Sequence, residues 1–465
     1  MVNPSSKLHA ACAAMFAAIA CSAPPAFAEA DADSGSGAST LLGDVGGLRP
    51  ALARFGVTVG LSEISEWLQN AHGGIKTRNR YHGLTTLTVG VDTAQAGAWQ
   101  GGSFNVSALD IHGHQLTPKT IGSLQTASGI EAIGGPRLWE LWYEQKLGDG
   151  ADKAPYQGLS VRVGQQSLDQ EFMVSQCATA FVGTAFGWPA LPSYDLPAGG
   201  PAYPLSGLGA RVRLTLADST RLLVGAFAGD PANTRTQDPQ RANDHGTTFS
   251  LYGGTLYIAE LQHSMPAGET GNAGTYKIGA WYHNQHFADT RFDTANLSLA
   301  DPTSGGSPHL HAGNYSVYAV ADQTVWHEGQ DGPRALNLFA RVMGAPGDRN
   351  LISFSANLGL TVNAPFAGRD NDVLGFAVAY AKVGRHSHAL DADTHVFGAG
   401  HLPLRTSETF VEATYLFEIT SWWQLQGVLQ HTVRPGAGVV DPNDATNTRR
   451  IANSTVLGLR TTIAF

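Results

Sequence analysis

Charge is scarce in this chain. Asp, Glu, Lys and Arg together make up 14% of its 465 residues, against about 25% in ordinary globular proteins. Long apolar runs are missing as well. Beyond the N-terminal segment nothing approaches the roughly 18 consecutive apolar residues of a membrane-crossing helix, so the mature chain can meet a bilayer only as strands. Cysteine is reduced to Cys12, Cys21 and Cys177. No excess of cations exists to hold a polyanion, which argues against nucleic acid as a partner. A nucleophile elbow, a phosphate loop and a zinc-protease helix are all absent, so the sequence carries little sign of an enzyme.

The first 28 residues explain two of those cysteines. Lys7 gives a weakly basic start, Leu8 to Ala23 is apolar, and Ala26-Phe27-Ala28 is a small-x-small cleavage site, the order of a secretory signal peptide. Its removal takes away Lys7, Cys12 and Cys21, leaving 28 basic against 38 acidic residues and one cysteine. The exported chain can then form no internal disulfide, and a large hydrogen-bonded framework must supply its stability. Residues 29–56 read as a flexible Asp/Ser/Gly/Ala leader followed by a short periplasmic helix. Leu48, Leu52 and Phe55 recur at helical spacing, Pro50 sits early and Gly56 can end the turn.

What is abundant is glycine, at 55 residues, with a mean hydropathy of only -0.11. Gly-rich turns between half-apolar strands have this composition. From Val57 to Phe465 the chain divides into sixteen candidate strands, near 57–69, 81–93, 102–114, 137–148, 157–168, 207–217, 220–229, 248–262, 272–287, 312–327, 334–344, 350–363, 372–384, 406–418, 421–434 and 451–465. Most reach the 9–11 residues or so that a tilted strand needs to span a bilayer. Leu457, Leu459, Ile463 and Phe465 alternate with Val456, Gly458, Arg460 and Ala464, and Val212, Leu214 and Leu216 alternate with Arg211, Arg213 and Thr215. An arginine at the lipid midplane would cost about 2–4 kcal/mol, so the polar face is the lumen. Odd-numbered connections such as 115–136, 169–206, 230–247, 288–311, 385–405 and 435–450 are long and assigned to the outside. Even-numbered ones such as 94–101, 149–156 and 364–371 are short and periplasmic. The prediction is an all-β fold over 57–465, a 16-stranded antiparallel transmembrane β-barrel whose last strand closes on its first. Sixteen strands leave an aqueous channel.

The connection Asp169–Ser206 is too rich in rings and prolines for a solvated loop: Phe172, Phe181, Phe186, Trp188, Tyr194 and Tyr203 stand among Pro189, Pro192, Pro197, Pro201 and Pro204. It is expected to fold inward as a constriction loop, with a lid over the mouth as the alternative. Lumen charges gather beside it: Glu140 and Glu144 on strand four, Arg162 on strand five, Arg211 and Arg213 on strand six, and Asp169 and Glu171 in the loop; Arg341, inward on strand eleven, is a further lumen candidate. With Trp142 and Trp188 nearby, these residues suit a neutral polyhydroxylated solute, because charged groups hydrogen-bond hydroxyls and ring faces cover the C–H side of a sugar. Pairing of the charges among themselves to stiffen the wall is an equal alternative. Glu140 and Glu144, four residues apart on one strand, stand about 13 Å apart, too far for a glycosidase pair. His112/His114, His309/His311 and His386/His388/His395 have metal-like spacing but are expected to be loop histidines; no metal or cofactor is called for.

Several segments resemble the OprB-type carbohydrate-selective porins: Leu42-Gly43-Asp44-Val45-Gly46-Gly47-Leu48-Arg49, Leu138-Trp139-Glu140-Leu141-Trp142-Tyr143-Glu144-Gln145, Val161-Arg162-Val163-Gly164-Gln165, Phe186-Gly187-Trp188-Pro189, Gly199-Gly200-Pro201-Ala202-Tyr203-Pro204-Leu205, His245-Gly246-Thr247, Asp348-Arg349-Asn350 and Val456-Leu457-Gly458-Leu459-Arg460. The ordered set runs from about Leu41 to Phe465. Val45, Gly427 and His431 stand where that family usually has Trp, Pro and Tyr. The resemblance implies passive diffusion of glucose and similar small neutral sugars across the outer-membrane lipid into the periplasm, and leaves association as a homotrimer open. A general or plugged outer-membrane barrel and a secreted carbohydrate-active enzyme are the alternatives.

Overall fold

The computed structural model describes residues 39–147, 157–233, 238–267, 272–329, 332–398 and 402–465. The expected signal peptide and most of the leader lie outside them. The described chain forms sixteen strands: β1 (Val57–Gly74), β2 (Arg78–Asp92), β3 (Gly102–Gly113), β4 (Gly135–Leu147), β5 (Gly158–Gln166), β6 (Gly207–Ala217), β7 (Thr220–Ala228), β8 (Thr255–Met265), β9 (Gly274–Asp293), β10 (Pro308–His327), β11 (Ala335–Gly344), β12 (Ile352–Asn363), β13 (Val373–Val383), β14 (Ser407–Thr420), β15 (Trp423–Val433) and β16 (Ala452–Ala464). Each strand pairs antiparallel with its sequence neighbours, and β1 pairs with β16 to close the barrel. Closure leaves no row of unpaired backbone groups facing lipid.

Period-two patterning decides which way each side chain points. On β9, Tyr276, Ile278 and Tyr282 are exposed on the outer wall, Ile278 by 63%, whereas Trp281 on the other face is 2% exposed. Leu338 and Val342 of β11 face out, and Phe339 and Arg341 face in and are buried. The seam follows the same rule. Leu457 and Leu459 point outward, and Arg460 points inward to donate to Glu66 Oε1 on β1 at 2.6 Å.

A helix, α1 (Leu48–Ala53), precedes β1 and is tied to the other end of the chain. Leu41 N–H donates to Ala464 O at 2.8 Å, and the Arg49 guanidinium donates to Phe465 O. Both ends of the described chain thus sit with the short turns. The boundaries differ from the sequence reading mostly at the opposite rim. β1 continues to Gly74, and β9 and β10 extend to Asp293 and back to Pro308, because their outer halves stay paired beyond the apolar belt. A helix over Arg385–Phe397 occupies most of the long connection 385–405.

The barrel's interior is packed over much of its circumference. Phe172, Met173, Trp188, Leu191 and Leu196 of the β5–β6 loop bury against Leu223, Phe227, Ile258, Trp281, Tyr318 and Met343 of β7 to β11. Farther along the loop, Phe181 and Phe186 meet Phe339 of β11 and Phe410 of β14 at ring separations of 5.7–6.3 Å. The β3–β4 connection folds in too. Its Leu116, Ile121 and Ala127 pack with Val182 against Leu68, Val428 and Val456 of β1, β15 and β16.

Candidate channel constriction

Two inward loops narrow the lumen, and the wall holds their backbones with side chains. Loop segments in irregular conformation carry N–H and C=O groups that a barrel interior must satisfy. On β14, Glu408 accepts from Leu124 N and Gln125 N at 2.7 and 2.8 Å, and Glu412 from Val182 N and Gly183 N at 2.6 and 2.8 Å. Glu260 on β8 accepts from Met173 N at 2.7 Å, and Asp322 on β10 from Ser175 Oγ, Gln176 N and Cys177 N at 2.5–3.3 Å. The donor counterpart is Arg341 on β11, whose guanidinium reaches the carbonyls of Met173, Ala185, Phe186 and Gly187 at 2.6–3.2 Å. Lys277 Nζ donates to Val174 O at 2.6 Å.

A second cluster lies where the β5–β6 loop leaves the wall. Arg162 donates through Nε and Nη2 to Glu144 Oε2 at 3.0 and 2.7 Å. Its guanidinium carbon stands 3.8 Å from the centroid of the Trp142 ring. Arg211, fully buried, bridges Glu144 and Glu171 at 3.1 and 2.7 Å, and Arg213 donates to Glu171 from the next inward position. Burial alone would raise the Glu171 carboxyl, but the guanidiniums of Arg162, Arg211 and Arg213 hold it below its ordinary range. Three cations meet two carboxylates, so the patch carries both signs. Its edge toward water is Arg162, Glu171 and Arg213, whose side chains are 15%, 15% and 32% exposed.

The sequence candidates therefore separate. Trp142, Glu144, Arg162, Glu171, Arg211 and Arg213 form one continuous cluster. Glu140 accepts from Ser167 N at 3.0 Å, and Asp169 accepts from Ser167 Oγ and Tyr203 N at 2.6 and 3.0 Å, so both fasten the start of the loop. Trp188 is buried inside the loop, with Nε1 donating to Gly199 O at 2.9 Å. Arg341 lies apart, among the loop carbonyls. Glu260, Asp322, Glu408 and Glu412 escaped the sequence reading. The signal for them was an inward carboxylate on a strand that carries no Lys or Arg of its own.

Among the histidines, His311 Nε2 and His386 Nδ1 both meet Asp289, at 2.8 and 2.9 Å. No group of three or more His, Cys, Asp or Glu among the described residues has metal-binding geometry.

A closed sixteen-stranded barrel with an apolar outer wall, a charged lumen and inward loops defines an outer-membrane porin. Within that class, the model of the carbohydrate-selective porin, OprB family matches residues 76–465, and this chain belongs to that family. Porin B of Pseudomonas aeruginosa is 26% identical over 430 residues, covering 87% of this chain and 88% of that protein. A high-pH structure of OprB from Pseudomonas putida superposes with a TM-score of 0.79 at 24% identity, over 93% of this chain and 99% of that one. The chain is thus a carbohydrate-selective channel of the bacterial outer membrane and not an enzyme.

Proposed function

We propose that glucose and similar small neutral sugars diffuse passively through the lumen along the edge formed by Arg162, Trp142, Glu171 and Arg213, while the apolar outer wall sits in outer-membrane lipid. The observation that carries this reading is the Arg162 guanidinium standing 3.8 Å from the Trp142 ring centroid with Glu144 and Glu171 beside it. Donors, acceptors and an aromatic face are presented together, which is what a ring with hydroxyls at its rim and C–H groups on its faces can use. A wall of one charge sign would instead select ions.

The test is flux into proteoliposomes. Glucose should enter faster than a salt of similar size, and Arg162→Leu should lower the glucose preference several-fold while leaving the barrel's heat-modifiable gel migration intact. Equal entry of all small solutes through the wild-type protein would make it a general porin; no entry would make it a plugged barrel.

A further inference from the structure

A depression separate from the Arg162 cluster lies at the end of the barrel away from the chain termini. Its volume is about 440 Å³, within the roughly 300–1,000 Å³ of small-molecule sites. The connections β3–β4, β5–β6, β11–β12, β13–β14 and β15–β16 all contribute to its wall, whereas the Arg162 cluster stands on β4 to β6. Glu408 sets its shape. The carboxylate accepts from Leu124 N, Gln125 N and Gly436 N at 2.7–2.8 Å, so one buried group holds the β3–β4 and β15–β16 loops together. Tyr194 of the β5–β6 loop reaches the same place, its hydroxyl donating to Leu124 O at 3.0 Å. Its ring remains 41% exposed. A Cβ at Gly436 would lie 2.4 Å from Val439 Cγ2 and 3.0 Å from Gly122 O, so the two loops meet on bare backbone. The hollow is therefore built before any solute arrives.

Its lining has two characters. Pro118, Leu124, Leu351, Val383 and Val439 are apolar, and Tyr194 adds a ring face. The cation among the lining residues is Arg405. Asp391 accepts from its Nε and Nη2 at 2.9 and 2.7 Å, so the charge is already matched and an anion gains little there. Nη1 keeps its donors, and Ser123 Oγ, which donates to Gln125 O at 2.8 Å, keeps acceptor capacity. A bare hexose would press hydroxyls against the aliphatic wall, which costs free energy. A wholly apolar molecule would leave the guanidinium edge and the Ser123 hydroxyl unmatched. A neutral molecule with one sugar ring and one flat apolar group satisfies both halves. We propose that this depression binds glycosides carrying an apolar or aromatic aglycone at the mouth of the channel. The proposal rests on the sugar-passage reading above and adds a class of solute to it.

The experiment titrates phenyl β-glucoside, glucose and phenol into the folded full chain in detergent by calorimetry. The wild type should bind the glucoside about tenfold more tightly than either glucose or phenol. Val439→Trp, which fills the depression, should remove that advantage. Equal affinity for the glucoside and glucose, phenol binding as tightly as the glucoside, or an unchanged advantage in the variant would each overturn the proposal. Glucose entry into proteoliposomes, measured alongside, separates these outcomes from a failure of sugar passage itself. If the Trp variant does not reach the heat-modifiable form, Ser123→Cys replaces it. Phenyl β-glucoside should then slow maleimide labelling at that position several-fold, Cys177 being buried, and labelling at the same rate with and without the glucoside would overturn the proposal.

Discussion

Asp195 shows how much a single buried group can govern. It ends the short helix Ala190–Asp195 in the β5–β6 loop, accepts from Ile352 N at 3.2 Å through Oδ1, and has no hydrogen-bond partner for Oδ2 among the described residues. Burial pushes its carboxyl well above the usual range, and the one backbone donor does not offset this. The sign follows from linkage. A carboxyl whose folded value is raised contributes its full stability below its unfolded value, near pH 4, and loses it as pH rises through the folded value. The temperature at which the protein loses its compact gel migration should therefore fall between pH 5 and pH 9. Asp195→Asn should flatten that slope and raise the transition at pH 9 by about 1–3 kcal/mol of stability. An identical slope in the variant would place the pH dependence elsewhere.

The element that matters most is the inward loop between β5 and β6, and Arg341 is its central tie. Replacing it with Leu leaves the carbonyls of Met173, Ala185, Phe186 and Gly187 without that donor. We expect a loss of about 3 kcal/mol, with noisier and larger single-channel steps and weaker glucose preference. A variant with wild-type steps would mean the aromatic packing alone holds the loop. The inward fold of this loop was legible in the sequence because rings and prolines are conspicuous there. The inward fold of the β3–β4 loop was not. Its apolar residues Leu116, Ile121 and Ile130 are few and scattered, and its main tether joins backbone N–H groups to Glu408, a partner that leaves no trace in the loop's own sequence. The sugar-facing candidates were mixed for a related reason. Period two shows that Arg162 and Arg341 face inward, but only the path of the loop decides which of them meets water and which meets carbonyls.

At the scale of the whole molecule the alternation of apolar and polar residues was enough to give the strand count, the closure and the sides of the wall. Strand ends were less legible, because pairing that continues above the belt in β9 and β10 no longer needs an apolar face. Closure also makes a sharp prediction. Removing 452–465 would leave β1 and β15 as open edges and strip Glu66 of Arg460, leaving a buried carboxylate without that cation. We expect no heat-modifiable species and no conductance from that truncation, as opposed to a smaller working channel.

That same seam sets a clock. Fifteen of the sixteen strand pairings join consecutive strands, each of which can form as soon as its hairpin exists. The pairing of β1 with β16 joins residues as far apart as Glu66 and Arg460, 394 positions in sequence. The entropy of bringing such distant ends together is concentrated in this one event, and until it happens a growing sheet has two sticky margins. We therefore expect the meeting of the first and last strands to be the slowest pairing of the barrel, and chains whose margins stay unshielded until then to be the ones lost to association.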